Sequence, residues 1–399
     1  MHNKHEARPY VIYLSPYDIL RPRTNQVSDV RFTEGFAQQN CHAHLIVPFV
    51  KRPDNIHRDQ VHEIYGLTHA LQIHYLPTRF THDVYGKLQL FTVAFWTVIK
   101  TLKVLRRRKH GNLTYIISRS THLLRPFFLL RKLFPSSFKK VFLIHWAHDL
   151  HHSRSHRYIY RKSDYLLATN SSLLRDLLKS NGKSRDEGTF TSNPVTQQQT
   201  ESRISKTDAR KEVHLDDINR PIIAYTGKLG RHYDREMKYI LEAASMLPDY
   251  TFVITGGKPE TVEYWRDQAG HDQINNIMFT GYIYDYGRVK YYQYAADVLL
   301  SYYTTQGHDT RYNLPNKICE YMLTGNVIVT PDYPATRDLL NSGNCIFTAP
   351  EDGKALAAGI REAVENPQAS REKAERAYQT VQEHTFRKMA GRLLNAFPK

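Results

Sequence analysis

Short β-branched or aromatic runs alternate with longer segments of helical period along this chain, and that rhythm, repeated twice, limits its fold more than any other feature. In the first half the runs are residues 10–14, 44–49, 71–75, 113–117, 141–146 and 165–169, with helix-period segments at 26–39, 87–109, 121–133, 154–162 and 171–180. In the second half the runs are 222–225, 251–255, 277–279, 298–301, 327–330 and 345–347, with helices expected at 234–246, 260–269, 285–295, 315–324, 335–341 and 353–365. Parallel strands need a crossover, usually a helix, so alternating βα units predict an α/β protein with doubly wound parallel sheets. The 399 residues suit two such domains. Residues 196–220 are polar and read as the linker between domains 1–195 and 221–379. A charged helical segment at 370–396 ends the chain, and its last part, about 380–399, is expected to return to the first domain.

Composition enters through charge. The chain carries 55 Lys and Arg against 39 Asp and Glu, a net +16. The excess is one-sided: residues 1–195 hold 30 basic and 13 acidic residues, and the remainder hold 25 and 26. No acid lies between Asp83 and Asp149, a window with 13 Lys and Arg. The first half is therefore built to face something anionic. Cys41, Cys319 and Cys345 are widely separated and form no CxxC pair, which argues against a disulfide framework or a zinc module and suits a reducing cytoplasm. The first residues lack the apolar stretch of a signal peptide.

In open parallel sheets ligands bind outside the carboxyl ends of the strands, so the loops there carry the chemistry. Residues 224–231 leave a strand and enter a helix through Gly227, Lys228, Gly230 and Arg231. Glycines let backbone amides approach an anion at a helix start, and two cations add full charge. Phosphate binding and an ordinary solvated turn both fit this loop alone. Residues 255–258, with Gly256 and Gly257, form a similar but weaker feature. Most informative is the segment from Asn313 to Asp332: a loop, a helix with Lys317 and Glu320 in its first turn, a stop at Gly325, and a buried strand. A carboxylate near the positive end of a helix stays ionised and can accept two ribose hydroxyls, or it can simply cap the helix.

This segment resembles the nucleotide-sugar signature of GT-B glycosyltransferases of family 4, glycosyl transferase group 1, through Pro315, Lys317, Glu320, Tyr321, Met322, Gly325, Ile328 and Val329. Thr226-Gly227-Lys228-Leu229 resembles the donor-phosphate loop, 248–257 the strand after it, and 332–340 a later turn. Residues 23–28, 41–47, 65–67, 115–119 and 148–150 resemble a subgroup whose first glycine-rich loop is replaced. Two departures stand out. Tyr312 occupies the place of the first acid of the family's paired carboxylates, and Tyr233 that of a second donor-loop base, for which Arg231 is the substitute.

The resemblance implies a GT-B fold, two Rossmann-like domains facing a central cleft, and a retaining glycosyltransferase that moves a sugar from a nucleotide sugar to a glycan or lipid-linked acceptor. It implies catalytic roles for His148, Lys228 and Glu320, and donor binding by Gly227, Arg231, Gly256, Asn316, Lys317 and Tyr321. Asn25, Gln26 and Arg119 would lie on the acceptor side. No DxD sequence occurs, so no metal or other cofactor is expected. His145, His148, His151, His152 and His156 cluster without the spacing of a zinc motif. The segment 88–105 is apolar around most of a helix and is followed by bases. It is too short and too interrupted to span a membrane. It reads either as a buried helix with a solvated end or as an interfacial helix presenting Lys100, Lys103, Arg106, Arg107, Arg108 and Lys109 to anionic lipid. No recognition motif supports nucleic acid as partner. The expectation is a cytoplasmic enzyme, peripheral on the membrane in the second of those readings; the alternative is a non-catalytic GT-B-like protein that binds membrane or polyanion.

Overall fold

The structure is a computed structural model, and it describes residues 8–20, 24–49, 60–69, 71–77, 87–108, 111–201, 203–230, 236–305 and 309–399. The chain divides into two compact units: one runs to Thr191 and resumes at Phe386–Lys399, the other is Ser192–Thr385.

The first unit holds strands β1 (Tyr10–Leu14), β2 (His42–Phe49), β3 (Gln72–Pro77), β4 (Thr114–Ser118), β5 (Val141–Ala147), β6 (Tyr165–Ala168) and β7 (Gly188–Phe190). They pair in the order β3-β2-β1-β4-β5-β6-β7, all parallel. The winding reverses between β1 and β4, the kind of place at which open α/β sheets bind ligands. Side chains alternate across the sheet, and both faces are apolar because both are covered. Tyr13, Leu45, Ile117 and Trp146 pack beneath the Thr24–Ala37 and Phe386–Ala396 helices. Ile12, Ile46, Ile116 and Leu143 pack beneath the Lys87–Arg107 and Thr121–Leu133 helices. Each fully buried side chain of this size contributes roughly 1.5–3 kcal/mol. A Cβ on Gly35 would stand 2.5 Å from the Phe386 carbonyl oxygen, so glycine is what lets the C-terminal helix seat against the first one.

The second unit repeats the plan with β8 (Ile222–Thr226), β9 (Thr251–Thr255), β10 (Ile277–Gly281), β11 (Val298–Leu300), β12 (Val327–Pro331) and β13 (Ile346–Thr348). Their order is β10-β9-β8-β11-β12-β13, again all parallel, with the reversal between β8 and β11. Ile223, Tyr225, Phe252 and Val329 face the Glu236–Ser245 and Gly353–Glu365 helices. Ala224, Leu299 and Ile328 face the Lys317–Thr324 and Pro367–Gln382 helices.

Three expectations differ from what is found. The stretch expected as a linker carries two helices, Gln197–Glu201 and Lys206–Glu212, and belongs to the second unit. Ala209, Val213 and Leu215 are buried there against Ile222, Val253 and Ala295, so three apolar residues seat a run that its polar composition disguised. The segment 370–396 is two helices, broken where Thr385 bridges Val195 and the Val195 N–H donates to the His384 carbonyl at 2.9 Å. The helix expected at 335–341 is a single 3₁₀ turn, Thr336–Asp338.

Candidate active site

In the second unit the site grows from the end of β8. Gly227 follows Thr226, and its N–H donates to the Thr255 carbonyl at 2.9 Å, tying this loop to the one after β9. Gly256 has φ +126°, and a Cβ there would lie 1.8 Å from the Gly227 carbonyl oxygen. The two loops thus meet backbone to backbone, an approach only glycine permits. Leu229 is buried and anchors the loop, which leaves Lys228 exposed between them.

The Lys317–Thr324 helix comes up beside this loop. Lys317 Nζ lies 3.8 Å from the centroid of the Tyr225 ring and 2.8 Å from where a Cβ on Gly227 would be. A cation over an aromatic face gains roughly 0.5–2 kcal/mol, which holds the ammonium above the bare glycine. The Tyr225 hydroxyl donates to Glu236 at 2.9 Å, fixing the ring from below. One helical turn along, Glu320 is half-buried and accepts from Gln293 Nε2 at 3.1 Å. Asn316 is exposed at the start of the helix and makes no side-chain cap.

Tyr321 is corrected by this geometry. Its side chain is completely buried; its hydroxyl oxygen accepts the Thr226 N–H at 2.9 Å and lies 3.1 Å from Thr226 Oγ1. It braces the end of β8 from inside and has no surface for a donor. Tyr312, in the place of the family's first acid, is also buried. Arg231 and Tyr233 lie outside the described residues.

In the first unit the reversal point holds a closed ionic network. Asp29 is fully buried and accepts from Tyr13 at 2.8 Å, from Ser15 at 2.6 Å and from Arg119 at 2.7 Å. Burial pushes the Asp29 carboxyl up, and Arg119, Ser15 and Tyr13 oppose that shift. Arg119 also donates to Tyr13 Oη at 3.1 Å, to Asn25 Oδ1 at 3.1 Å and to Ser28 Oγ at 3.4 Å, and its guanidinium lies 5.0 Å from the Trp146 ring centre. Of the three residues expected on the acceptor side, only Asn25 is exposed; Gln26 is buried, and Arg119 acts inward, as the anchor of Asn25. Asp29 and Tyr13 escaped the sequence reading because each looks ordinary in its own element.

His148 follows β5, with its ring 4.8 Å from that of Trp146. Its Nε2 is buried without a hydrogen-bond partner, and burial, with Arg119 and His145 adding to it, pushes the imidazole well below its usual range. The ring is neutral at physiological pH, and a ligand hydroxyl would satisfy that nitrogen. His145 points into the core near Tyr160, and burial pushes it to about 3. Among the described residues no three His, Cys, Asp or Glu side chains gather as ligands of one ion.

The basic region also sorts itself. On the Lys87–Arg107 helix, Phe91 is 78% exposed and Phe95 59%, while Lys103, Arg106 and Arg107 are exposed toward its other end and Lys100 is half-buried. Arg108 turns inward, which corrects its expected lipid-facing place: it donates to Thr114 Oγ1 at 2.9 Å and to the Ser137 and Lys139 carbonyls at 3.1 Å. Lys109 lies outside the described residues. The Thr121–Leu133 helix, packed against this one, exposes Leu129 and Leu133, and Phe134 just beyond it is exposed as well. No described helix is long and apolar enough to cross a membrane.

Residues 220–366 match the family described as Glycosyl transferases group 1. Among solved structures, HepE from Anabaena in complex with UDP is 14% identical, with 97% of this chain and 98% of that one covered, at a TM-score of 0.69. A glycosyltransferase from Rickettsia africae is 13% identical, with 97% of each chain covered and a TM-score of 0.70. Sucrose-phosphate synthase from Thermosynechococcus elongatus is 15% identical over 97% and 98%, at 0.68. No curated protein matches in sequence. The two parallel-sheet units and these likenesses define the GT-B fold. Within the second unit, residues 220–366 are similar to the glycosyltransferases of group 1.

Proposed function

We propose that this enzyme transfers a sugar from a nucleoside diphosphate sugar to a glycan or lipid-linked acceptor, with retention at the anomeric carbon and without a metal, in the synthesis of a cell-surface polysaccharide or glycoconjugate. The observation that carries this reading is the placing of Lys317 over Gly227, with Glu320 one turn along, at the carboxyl end of β8. In the reaction the bond between the anomeric carbon and the diphosphate oxygen breaks while the acceptor oxygen bonds to the same face. The leaving oxygen takes the acceptor proton. Negative charge grows on the diphosphate, and fixed cations meet it without reorganising. Lys228 and Lys317 supply them, with Arg231 as a third; Asn316 and the helix start behind it face the same group. Glu320 accepts the ribose hydroxyls. His148 hydrogen-bonds the donor sugar through Nε2, and Asn25 contacts the acceptor, held by Arg119.

Because HepE is seen with UDP, uridine nucleotides lead the donor screen, followed by GDP-, dTDP- and ADP-sugars. A donor at a hundred times its Kd stabilises the fold by about 2.7 kcal/mol, which a melting curve detects. Glu320→Ala and Lys228→Ala should each abolish transfer at an unchanged melting temperature. Undiminished transfer in both variants removes the assignment.

A second reading concerns the acceptor. Exposed Phe91 and Phe95 on one helix with exposed Lys103, Arg106 and Arg107 are the composition of a face that rests on anionic lipid. Docking there would bring the first unit to a lipid-linked acceptor. The same face would serve a non-catalytic binder, and measurable transfer separates the two.

A further inference from the structure

Gln293 has no place in the reaction as described, yet it touches both halves of the donor site. It stands on the Tyr286–Ala295 helix and is 4% exposed. Its Nε2 lies 3.1 Å from Thr226 Oγ1 and 3.1 Å from Glu320 Oε2. A carboxylate only accepts, so the amide must turn its NH₂ group toward Glu320, and both N–H bonds are then committed. Thr226 in turn is held by Tyr321, through its N–H at 2.9 Å and its hydroxyl at 3.1 Å. A buried chain of hydrogen bonds therefore runs from the last residue before the donor loop to one oxygen of the ribose-binding carboxylate.

The helix that carries Gln293 is pinned to the same segment. Asn326 Nδ2 donates to the Gln293 carbonyl at 3.0 Å and to that of Tyr294 at 3.3 Å, and the Tyr294 hydroxyl donates to the Leu323 carbonyl at 3.3 Å. Gln293 thus reaches Glu320 from a fixed base. Its chemistry is hard to replace. Asparagine is a methylene too short, methionine fills the space and donates nothing, and glutamate sets one carboxylate against another.

We infer that Gln293 is a positioning residue that holds the Glu320 carboxylate in the orientation that reads ribose, and so sets the enzyme's preference for ribonucleotide over deoxyribonucleotide donors. The inference rests on the reading of Glu320 as the ribose-binding group. A hydrogen bond to a charged group is worth about 1.5–3 kcal/mol, or roughly 10- to 100-fold in affinity.

The test is calorimetric titration of the full chain with UDP, GDP and ADP, followed by titration of the tightest of them and its 2′-deoxy counterpart against wild type, Gln293→Met, Gln293→Glu and Glu320→Ala. Wild type should prefer the ribonucleotide at least about tenfold. Gln293→Met should lose most of that preference, with the deoxynucleotide changing less than about twofold and little change in melting temperature. Gln293→Glu, which keeps the shape of the side chain, should lose more. Equal losses for both nucleotides, or a preference that survives both Gln293 variants, overturns the inference while the donor site stands. A preference that survives Glu320→Ala overturns the ribose reading itself, and a wild-type protein that binds none of the three nucleotides overturns both.

Discussion

The two units share a winding and a reversal point, and they furnish that point in opposite ways. In the first, the ends of β1 and β4 are locked together: Ser118 Oγ donates to the Leu14 carbonyl at 2.8 Å, and Asp29, Arg119, Tyr13 and Ser15 satisfy one another below the surface. In the second, glycines replace side chains at the ends of β8 and β9, Lys228 is exposed, and Lys317 and Glu320 are only half-buried. One reversal point is a fastener, and on the function proposed above the other is a receptacle. The topology therefore says where a ligand can bind, and the residues at that place decide whether charge is turned inward for stability or outward toward a ligand.

The largest expected effect breaks the fastener. Removing one partner of a buried ion pair leaves the other charged and unpaired, at about 3–5 kcal/mol. Asp29→Ala should lower the stability of the first unit by that amount in denaturant melts, whereas Glu320→Ala should leave the second almost unchanged. If Asp29→Ala melts like wild type, the contrast between the two sites falls.

Next in size is the floor of the receptacle. Gly256→Ala adds a Cβ 1.8 Å from the Gly227 oxygen at a positive φ. Strain of this kind is worth about 1–3 kcal/mol, and relief of it must push the two loops apart. Nucleotide affinity should fall more than stability does, as read by titration beside thermal melting.

Much of the receptacle was legible in the sequence, and almost none of the fastener was. Lys317, Glu320 and Gly325 lie within nine positions of one another, so one helical turn and one stop signal suffice to read them. Asp29 and Arg119 are ninety positions apart, and nothing local distinguishes Asp29 from any polar residue on a helix. Gln293 is hidden for the same reason, since its partners sit at positions 226 and 320. Tyr321 was legible as a motif residue but its direction was not, because a motif match does not tell which face of a helix is buried. The strand and helix pattern survived well for the opposite reason: periodicity is local, and both faces of each sheet are covered.

Acid should separate the units as well. Burial pushes His145 down to about 3 and, with His74 and His42 adding to it, His44 down to about 4, and both lie in the first unit. For a base with a depressed folded value, the unfolded chain takes up protons first. The stability held above about pH 6.5 is therefore lost as pH falls toward those values, by at most roughly 1.4 kcal/mol per histidine for each pH unit crossed. The first unit should lose stability between pH 6.5 and 4 faster than the second, and His145→Gln with His44→Gln should flatten that slope in melts across the range.

The smallest effect on the fold falls on two of three adjacent arginines that charge counting treats alike. Arg106 and Arg107 are exposed, and surface changes of this kind usually stay within about 0.5 kcal/mol. Reversing both to Glu should leave the melting temperature in place. Each base near an anionic surface contributes roughly 1 kcal/mol, so the double reversal should weaken binding to phosphatidylserine vesicles by well over tenfold. Arg108 binds Thr114 and two carbonyls instead, so Arg108→Met should lower stability and leave vesicle binding within about threefold. Equal vesicle binding by all three proteins means that the exposed bases are only solvated. The exposed bases would then differ in kind from Arg119, whose charge is spent inside the network around Asp29.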